Sequence, residues 1–162
     1  MKIGIIDYGA GNLHSVHNAL LQLDVEHSIF ESPAGLEACD KLILPGVGAF
    51  GDSMACMEER GLVAPVRRWL EAGRPFLGIC IGYQLLFESS EEAPGVAGLG
   101  FLEGSVTRFP SDLGLKIPHM GWNRVQVKDP ACPLWAGWPP EPYLYFVHSY
   151  HPVPKDPEII SS

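Results

Sequence analysis

The chain has 162 residues, 46% of them hydrophobic, with 11 basic against 19 acidic side chains and a formal net charge of −8. That length and apolar fraction suffice for one well-cored domain and not for two, and the acidic balance leaves no basic stripe to neutralise phosphates, which argues against nucleic-acid binding. Cys39, Cys56, Cys80 and Cys132 form no C-x-x-C pair and no metal-ligand spacing with histidine, so no disulfide framework and no metal site are expected, and a reducing cytoplasmic setting fits best.

Ile3 to Ile6 is a compact apolar run closed by Asp7-Tyr8-Gly9, too short for a secretory signal or a membrane anchor, and reads as a buried strand. From Asn12 onward Leu13, Val16, Leu20 and Leu23 fall on one helical face. Glu26 to Phe30 and Lys41 to Leu44 read as the next strands, Val63 to Leu70 as part of a helix stopped at Gly73, and Pro75 to Ile79 as a further strand. Strand, turn and helix in repetition build a parallel sheet. The predicted fold is therefore α/β, a doubly wound, mostly parallel sheet with flanking helices, in which the turns at Tyr8, Pro45 and Cys80 share the rim at the carboxyl ends of the strands. From about Gly98 the texture changes to β-rich segments, Gly104 to Phe109, Trp122 to Val127 and Tyr143 to Tyr150. These are expected to complete and flank the same sheet, with no linker or repeat dividing residues 1–162 into more than one domain.

Two of the turns carry chemistry. In GICIGYQLLF (78–87) Cys80 stands between a strand and what reads as a helix, flanked by Gly78 and Gly82, which allow a sharp turn and close helix–strand packing. The helix N-terminus offers unpaired N–H groups and a positive dipole end that favour a reactive thiolate; the five residues alone also suit a small buried cysteine. Pro45-Gly46-Val47-Gly48 can rotate a peptide plane and present an N–H to an anion, as half of an oxyanion hole completed by the Ile81 N–H, although the same pattern also serves a plain tight turn. Gln84, four positions after Cys80, lies on the same helix face, beside the apolar Leu85, Leu86 and Phe87. Glu92 sits in a loop and reads either as a solvated charge or as the carboxylate for a bound ammonium group.

Taken in order, GIIDYGAGN, LPGVGAFGDS, GICIGYQLLF, SSEEAPGVAGLG, PHMGWN (118–123) and YFVHSY (145–150) resemble the class I glutamine amidotransferases, and among them the glutaminase subunits of imidazole glycerol phosphate synthase. The resemblance covers essentially the whole chain and implies a flavodoxin-like amidotransferase fold without a cofactor. It implies that Cys80 attacks the side-chain amide of glutamine, giving a glutamyl thioester and ammonia. It further implies oxyanion N–H groups at Val47, Gly48 and Ile81, glutamine held by Gln84, Glu92, Ser149 and Tyr150, and ammonia passed to a (β/α)₈ cyclase partner in a heterodimer, with Asn12, His119, Met120, Trp122 and Asn123 at the partner interface.

One departure accompanies the matches. Members of this family continue beyond YFVHSY to an FHPE-type motif whose histidine and glutamate complete a catalytic triad, so the chain reads as C-terminally truncated relative to them. His14, His17, His27, His119, His148 and His151 all fall outside that motif and are expected to serve packing, interface or surface roles. The nucleophile is present without its base, so the 162-residue chain is expected to be inactive; the alternative is a non-catalytic binding subunit that keeps the fold and the partner face.

Overall fold

The structure, a computed structural model, describes residues 1–114 and 116–160. Four strands, β1 (Ile3–Ile6), β2 (His27–Phe30), β3 (Lys41–Leu44) and β4 (Phe76–Gly78), pair in parallel in the order β2-β1-β3-β4. Ile5 of β1 lies opposite both Ile29 and Ile43. Because β2 and β3 flank β1 on opposite sides, the chain reverses its direction of travel across the sheet after β2, and the crevice at the carboxyl ends of β1 and β3 is the place where such sheets bind ligands.

The alternation of side chains along the strands decides what each helix covers. Ile3, Ile5 and Ile43 pack on one face beneath Leu13, Val16 and Leu20 of α1 (Leu13–Gln22). Ile6, Leu42 and Leu44 face the other side, where α2 (Phe50–Glu59) and α3 (Val63–Glu71) contribute Phe50, Met54, Met57, Val66, Trp69 and Leu70. Both faces are thus covered, as a doubly wound sheet requires. Leu23, predicted on the buried stripe of α1, is instead its exposed C-cap. No helix among the described residues is long and apolar enough to cross a membrane.

The structure corrects the sequence reading in three places. The segment after Cys80 is a single helical turn, α4 (Ile81–Gln84), and the apolar run leads directly into a strand, β5 (Phe87–Ser90). Leu85, Leu86 and Phe87 are buried as predicted, but Phe87 is buried by parallel pairing with Leu102 on β6 (Leu102–Arg108); a short apolar run suits helix and strand equally, and the distant partner decides. Second, the β-rich segments do not complete the four-stranded sheet. β5, β6 and β9 (Tyr150–Pro154) form a three-stranded sheet in that order, and β7 (His119–Arg124) and β8 (Tyr143–His148) form a separate antiparallel ribbon. Third, the segment predicted as one strand from Tyr143 to Tyr150 breaks at Ser149 into β8 and β9.

Candidate active site

Cys80 adopts φ 55° and ψ −114°, a conformation that L-residues with a Cβ rarely take, and it is exposed. The buried-cysteine alternative is thereby excluded, and the backbone strain marks a nucleophile elbow. The flanking glycines serve close packing. Neither has positive φ, but a Cβ on Gly78 would come within 2.6 Å of the Tyr83 backbone, and one on Gly82 would collide with the Leu44 carbonyl at the end of β3. The sharp turn is made by Cys80 itself. Tyr83 and Gln84 both donate their N–H to the Cys80 carbonyl, whereas the Ile81 N–H has no partner among the described residues.

The Pro45–Gly48 loop is fitted against this elbow. A Cβ on Gly46 would lie 2.5 Å from the Tyr8 hydroxyl and 2.8 Å from the Gly82 nitrogen, so only glycine allows the approach. Gly48 holds φ +98°, the left-handed region that glycine tolerates. The Val47 and Gly48 N–H groups, like that of Ile81, take no hydrogen-bond partner among the described residues. Beneath the loop Tyr8 is fully buried and its hydroxyl has no hydrogen-bond partner among the described residues; burial pushes the phenol pKa up.

A cleft of about 380 Å³ opens above the elbow, and Val47, Gly48, Cys80, Ile81, Gln84, Glu92, Ser149 and Tyr150 all line it. Residues separated by more than a hundred positions thus meet in one cleft. Gln84 is buried and its Oε1 has no partner among the described residues, an arrangement that costs about 1–3 kcal/mol unless a ligand supplies the missing donor. Glu92 is more than a solvated charge. Its Oε2 accepts the N–H of Phe50, the first residue of α2, at 2.8 Å, and its own N–H donates to Ser90 Oγ at 3.2 Å. The carboxylate is therefore held in place at a helix N-terminus while one oxygen stays available. Sequence reasoning missed Pro118, Val147 and His148, which also line the cleft; their position beside the predicted His119 and Ser149 was the available signal. Burial lowers the His148 pKa, with His119 and His151 adding to the effect against the Tyr150 backbone hydrogen bond.

The five residues predicted at a partner interface do not share one face. On the β7-β8 ribbon, Met120 opposes Val147, Trp122 opposes Tyr145 and Arg124 opposes Tyr143. Met120, Trp122, Tyr143, Tyr145 and Val147 are all exposed, Trp122 at 69%, so a core role for this tryptophan is excluded. Strand alternation turns His119 and Asn123 to the opposite, half-buried side. Asn12, distant from the ribbon in sequence, caps α1 by accepting the Ser15 N–H at 3.1 Å.

Residues 4–161 match the family model "Glutamine amidotransferase class-I". The chain is 50% identical over 160 residues to the imidazole glycerol phosphate synthase subunit HisH of Thermosynechococcus vestitus, a match that covers 99% of this chain and 76% of that protein. It is 52% identical over 159 residues to the HisH subunit of Desulfitobacterium hafniense, covering 98% and 74%. Among solved structures, a glutamine amidotransferase superposes with a TM-score of 0.71 at 22% identity, covering 95% of this chain and 74% of the other. PurLQS from Thermotoga maritima superposes with a TM-score of 0.70 at 20% identity, covering 96% and 70%; at these identities the two share the fold. The chain belongs to the class-I glutamine amidotransferase family, on the branch of the imidazole glycerol phosphate synthase HisH subunits.

Proposed function

We propose that this chain is a glutaminase subunit that releases ammonia from the side chain of glutamine and passes it to a (β/α)₈ cyclase partner for the synthesis of imidazole glycerol phosphate. The observation that carries the proposal is the single cleft in which the strained, exposed Cys80 meets unpartnered N–H groups and the unpartnered Gln84 oxygen. In this reading the Cys80 sulfur bonds to the amide carbon, and the carbonyl oxygen takes up the negative charge, which the N–H groups of Val47 or Gly48 and Ile81 stabilise. Collapse of that intermediate breaks the carbon–nitrogen bond; the nitrogen leaves with a proton as ammonia, and water then cleaves the thioester to glutamate. Glu92 binds the α-ammonium group, and Gln84, Ser149 and Tyr150 fix the amino-acid end. The exposed aromatic face of the ribbon, centred on Trp122, docks the cyclase.

Among the described residues no histidine or carboxylate hydrogen-bonds to Cys80. His148 lines the cleft, but its ring nitrogens engage His119 and the Tyr150 carbonyl, and His151 stacks on Phe109 at 4.7 Å. The test is alkylation of Cys80 by a glutamine-mimicking diazoketone, read by mass spectrometry with and without glutamine, beside hydrolysis of radiolabelled glutamine in the presence of the cyclase. Glutamine-protected labelling of Cys80 together with release of glutamate and ammonia supports the proposal. Labelling that glutamine does not protect overturns the binding assignment, and protected labelling without hydrolysis overturns the glutaminase reading in favour of a non-catalytic binding subunit.

A further inference from the structure

We infer that His119 and His148 are positioning residues, two neutral imidazoles in a one-way chain of hydrogen bonds that holds the Ser149–Tyr150 wall of the cleft. The contacts run Asn123 Nδ2 to His119 Nε2 at 2.8 Å, His119 Nδ1 to His148 Nε2 at 3.1 Å, and His148 Nδ1 to the Tyr150 carbonyl at 2.9 Å. A carbonyl oxygen only accepts, so His148 carries its proton on Nδ1, and its Nε2 is the acceptor. That acceptor requires a donor, which places the proton of His119 on Nδ1 as well. His119 Nε2 is then an acceptor, and the Asn123 amide nitrogen facing it only donates. Its second N–H points to the Gly121 carbonyl at 3.4 Å. The assignments made from the two ends agree, and each histidine is fixed as the Nδ1–H tautomer.

A second proton on either ring breaks the chain. Protonated His148 would set an N–H against the His119 N–H, and protonated His119 would set one against the Asn123 amide. The surroundings oppose protonation. Phe109 lies edge-on to His148 at 4.9 Å and to His119 at 6.3 Å, and Phe146 lies 5.7 Å from both. His151, stacked on Phe109 at 4.7 Å, acts on His148 in the same sense. A cavity of about 670 Å³ beside the pair has Lys116 and Arg124 in its lining and no carboxylate among the described residues. The half-buried setting that lowers the His148 pKa acts in the same direction.

The chain ends where the cleft needs a rigid wall. Between β8 and β9 the backbone breaks at Ser149, whose carbonyl accepts the Phe109 N–H at 3.0 Å. Tyr150 lies opposite Arg108 on β6, next to the hydrogen-bonded Phe109–Ser149 pair, so the Tyr150 carbonyl points away from β6 while the Arg108 N–H goes to Glu91 Oε2. His148 supplies the hydrogen bond that the Tyr150 carbonyl lacks from the sheet, and so sets the direction in which Ser149 and Tyr150 enter the cleft. The functional part of this inference rests on the glutaminase reading, because only there does that wall contact glutamine.

The test uses the full chain uniformly labelled with ¹⁵N. Long-range ¹H–¹⁵N correlation near neutral pH should show both rings neutral with the proton on Nδ1; an Nε2–H tautomer or a cation at either ring overturns the chain. Calorimetric glutamine binding adds the functional readout. His119→Asn keeps an N–H at the Nδ1 position and should leave Kd within about twofold, whereas His119→Phe removes the donor and should raise Kd about tenfold, the equivalent of one hydrogen bond. Unchanged binding by a folded His119→Phe protein overturns the positioning role; if that variant does not fold, failure of His119→Asn to bind like the parent does so instead. A parent protein that binds no glutamine refutes the glutaminase reading, while the tautomers still decide the hydrogen-bond chain.

Discussion

Replacing Cys80 with glycine should make the protein more stable while removing its nucleophile. At φ 55° and ψ −114°, a residue with a Cβ costs about 1–3 kcal/mol of backbone strain. Glycine relieves that strain but gives back about 0.4–1 kcal/mol through the greater freedom of the unfolded chain. The Cys80 side chain is exposed, so its loss removes little packing. The relevant comparison is Cys80→Gly against Cys80→Ala, since both lack sulfur and only alanine retains the strain. The glycine variant should exceed the alanine variant by about 0.5–2 kcal/mol, a rise in urea midpoint of about 0.3–1 M for a slope near 2 kcal/mol per molar. Both variants should lose all reaction with the diazoketone at this position. Equal or lower stability of Cys80→Gly would refute the claim that the elbow is strained and, with it, the argument that the strain serves to present the thiol.

Trp122→Ala should weaken cyclase binding by about 2 kcal/mol or more, because the exposed indole has Tyr145 at 5.7 Å as its ring partner; the fold should lose no more than the worth of that aromatic pair, about 0.5–1.5 kcal/mol. Titration calorimetry with the cyclase and a denaturation curve separate the two, and ammonia-dependent cyclase activity should survive. In Glu92→Gln an amide oxygen still accepts the Phe50 N–H, so stability should fall by only the helix-dipole contribution of about 0.3–1 kcal/mol. Glutamine affinity should fall by about 1.5–3 kcal/mol with the charge-assisted contact, and unchanged affinity would exclude Glu92 as the ammonium ligand. In the folded protein the diazoketone should label Cys80 ahead of Cys56 and Cys132, and ahead of Cys39, which is buried and whose thiol pKa burial raises; equal labelling of all four removes the case for an activated elbow. Because the folded-state pKa of His148 lies below its ordinary value of 6.5, the unfolded chain binds that proton more readily. The contribution to stability is present above about pH 6.5 and is lost as the pH falls from there through the folded-state value. A urea midpoint as pH-insensitive over this window as that of His148→Gln would contradict this.

Local pattern was enough for the elements that carry the chemistry. The apolar runs Ile3–Ile6 and Lys41–Leu44 became β1 and β3 at the predicted residues, because buried parallel strands need continuous apolar character. The G-x-C-x-G and P-G-x-G turns marked the rim, since so few residue types fit a strained corner or a backbone contact as close as that of Gly46 with Tyr8. The helix α2 also has its trace in the sequence: Phe50, Ser53, Met54 and Met57 stand at helical spacing, and all four are buried. Tertiary structure alone decided the rest. α4 stops at Gln84 because Phe87 finds a strand partner at Leu102, and the late strands form separate sheets because Arg108 meets Tyr150 and His119 meets His148. Pairing between segments dozens of residues apart leaves no periodic trace in either one. The same register turns Trp122 outward and His119 inward, splitting a motif that reads as one surface. It also brings Asn123, His119 and His148 into a line in which each ring nitrogen's neighbour determines which of them holds the proton.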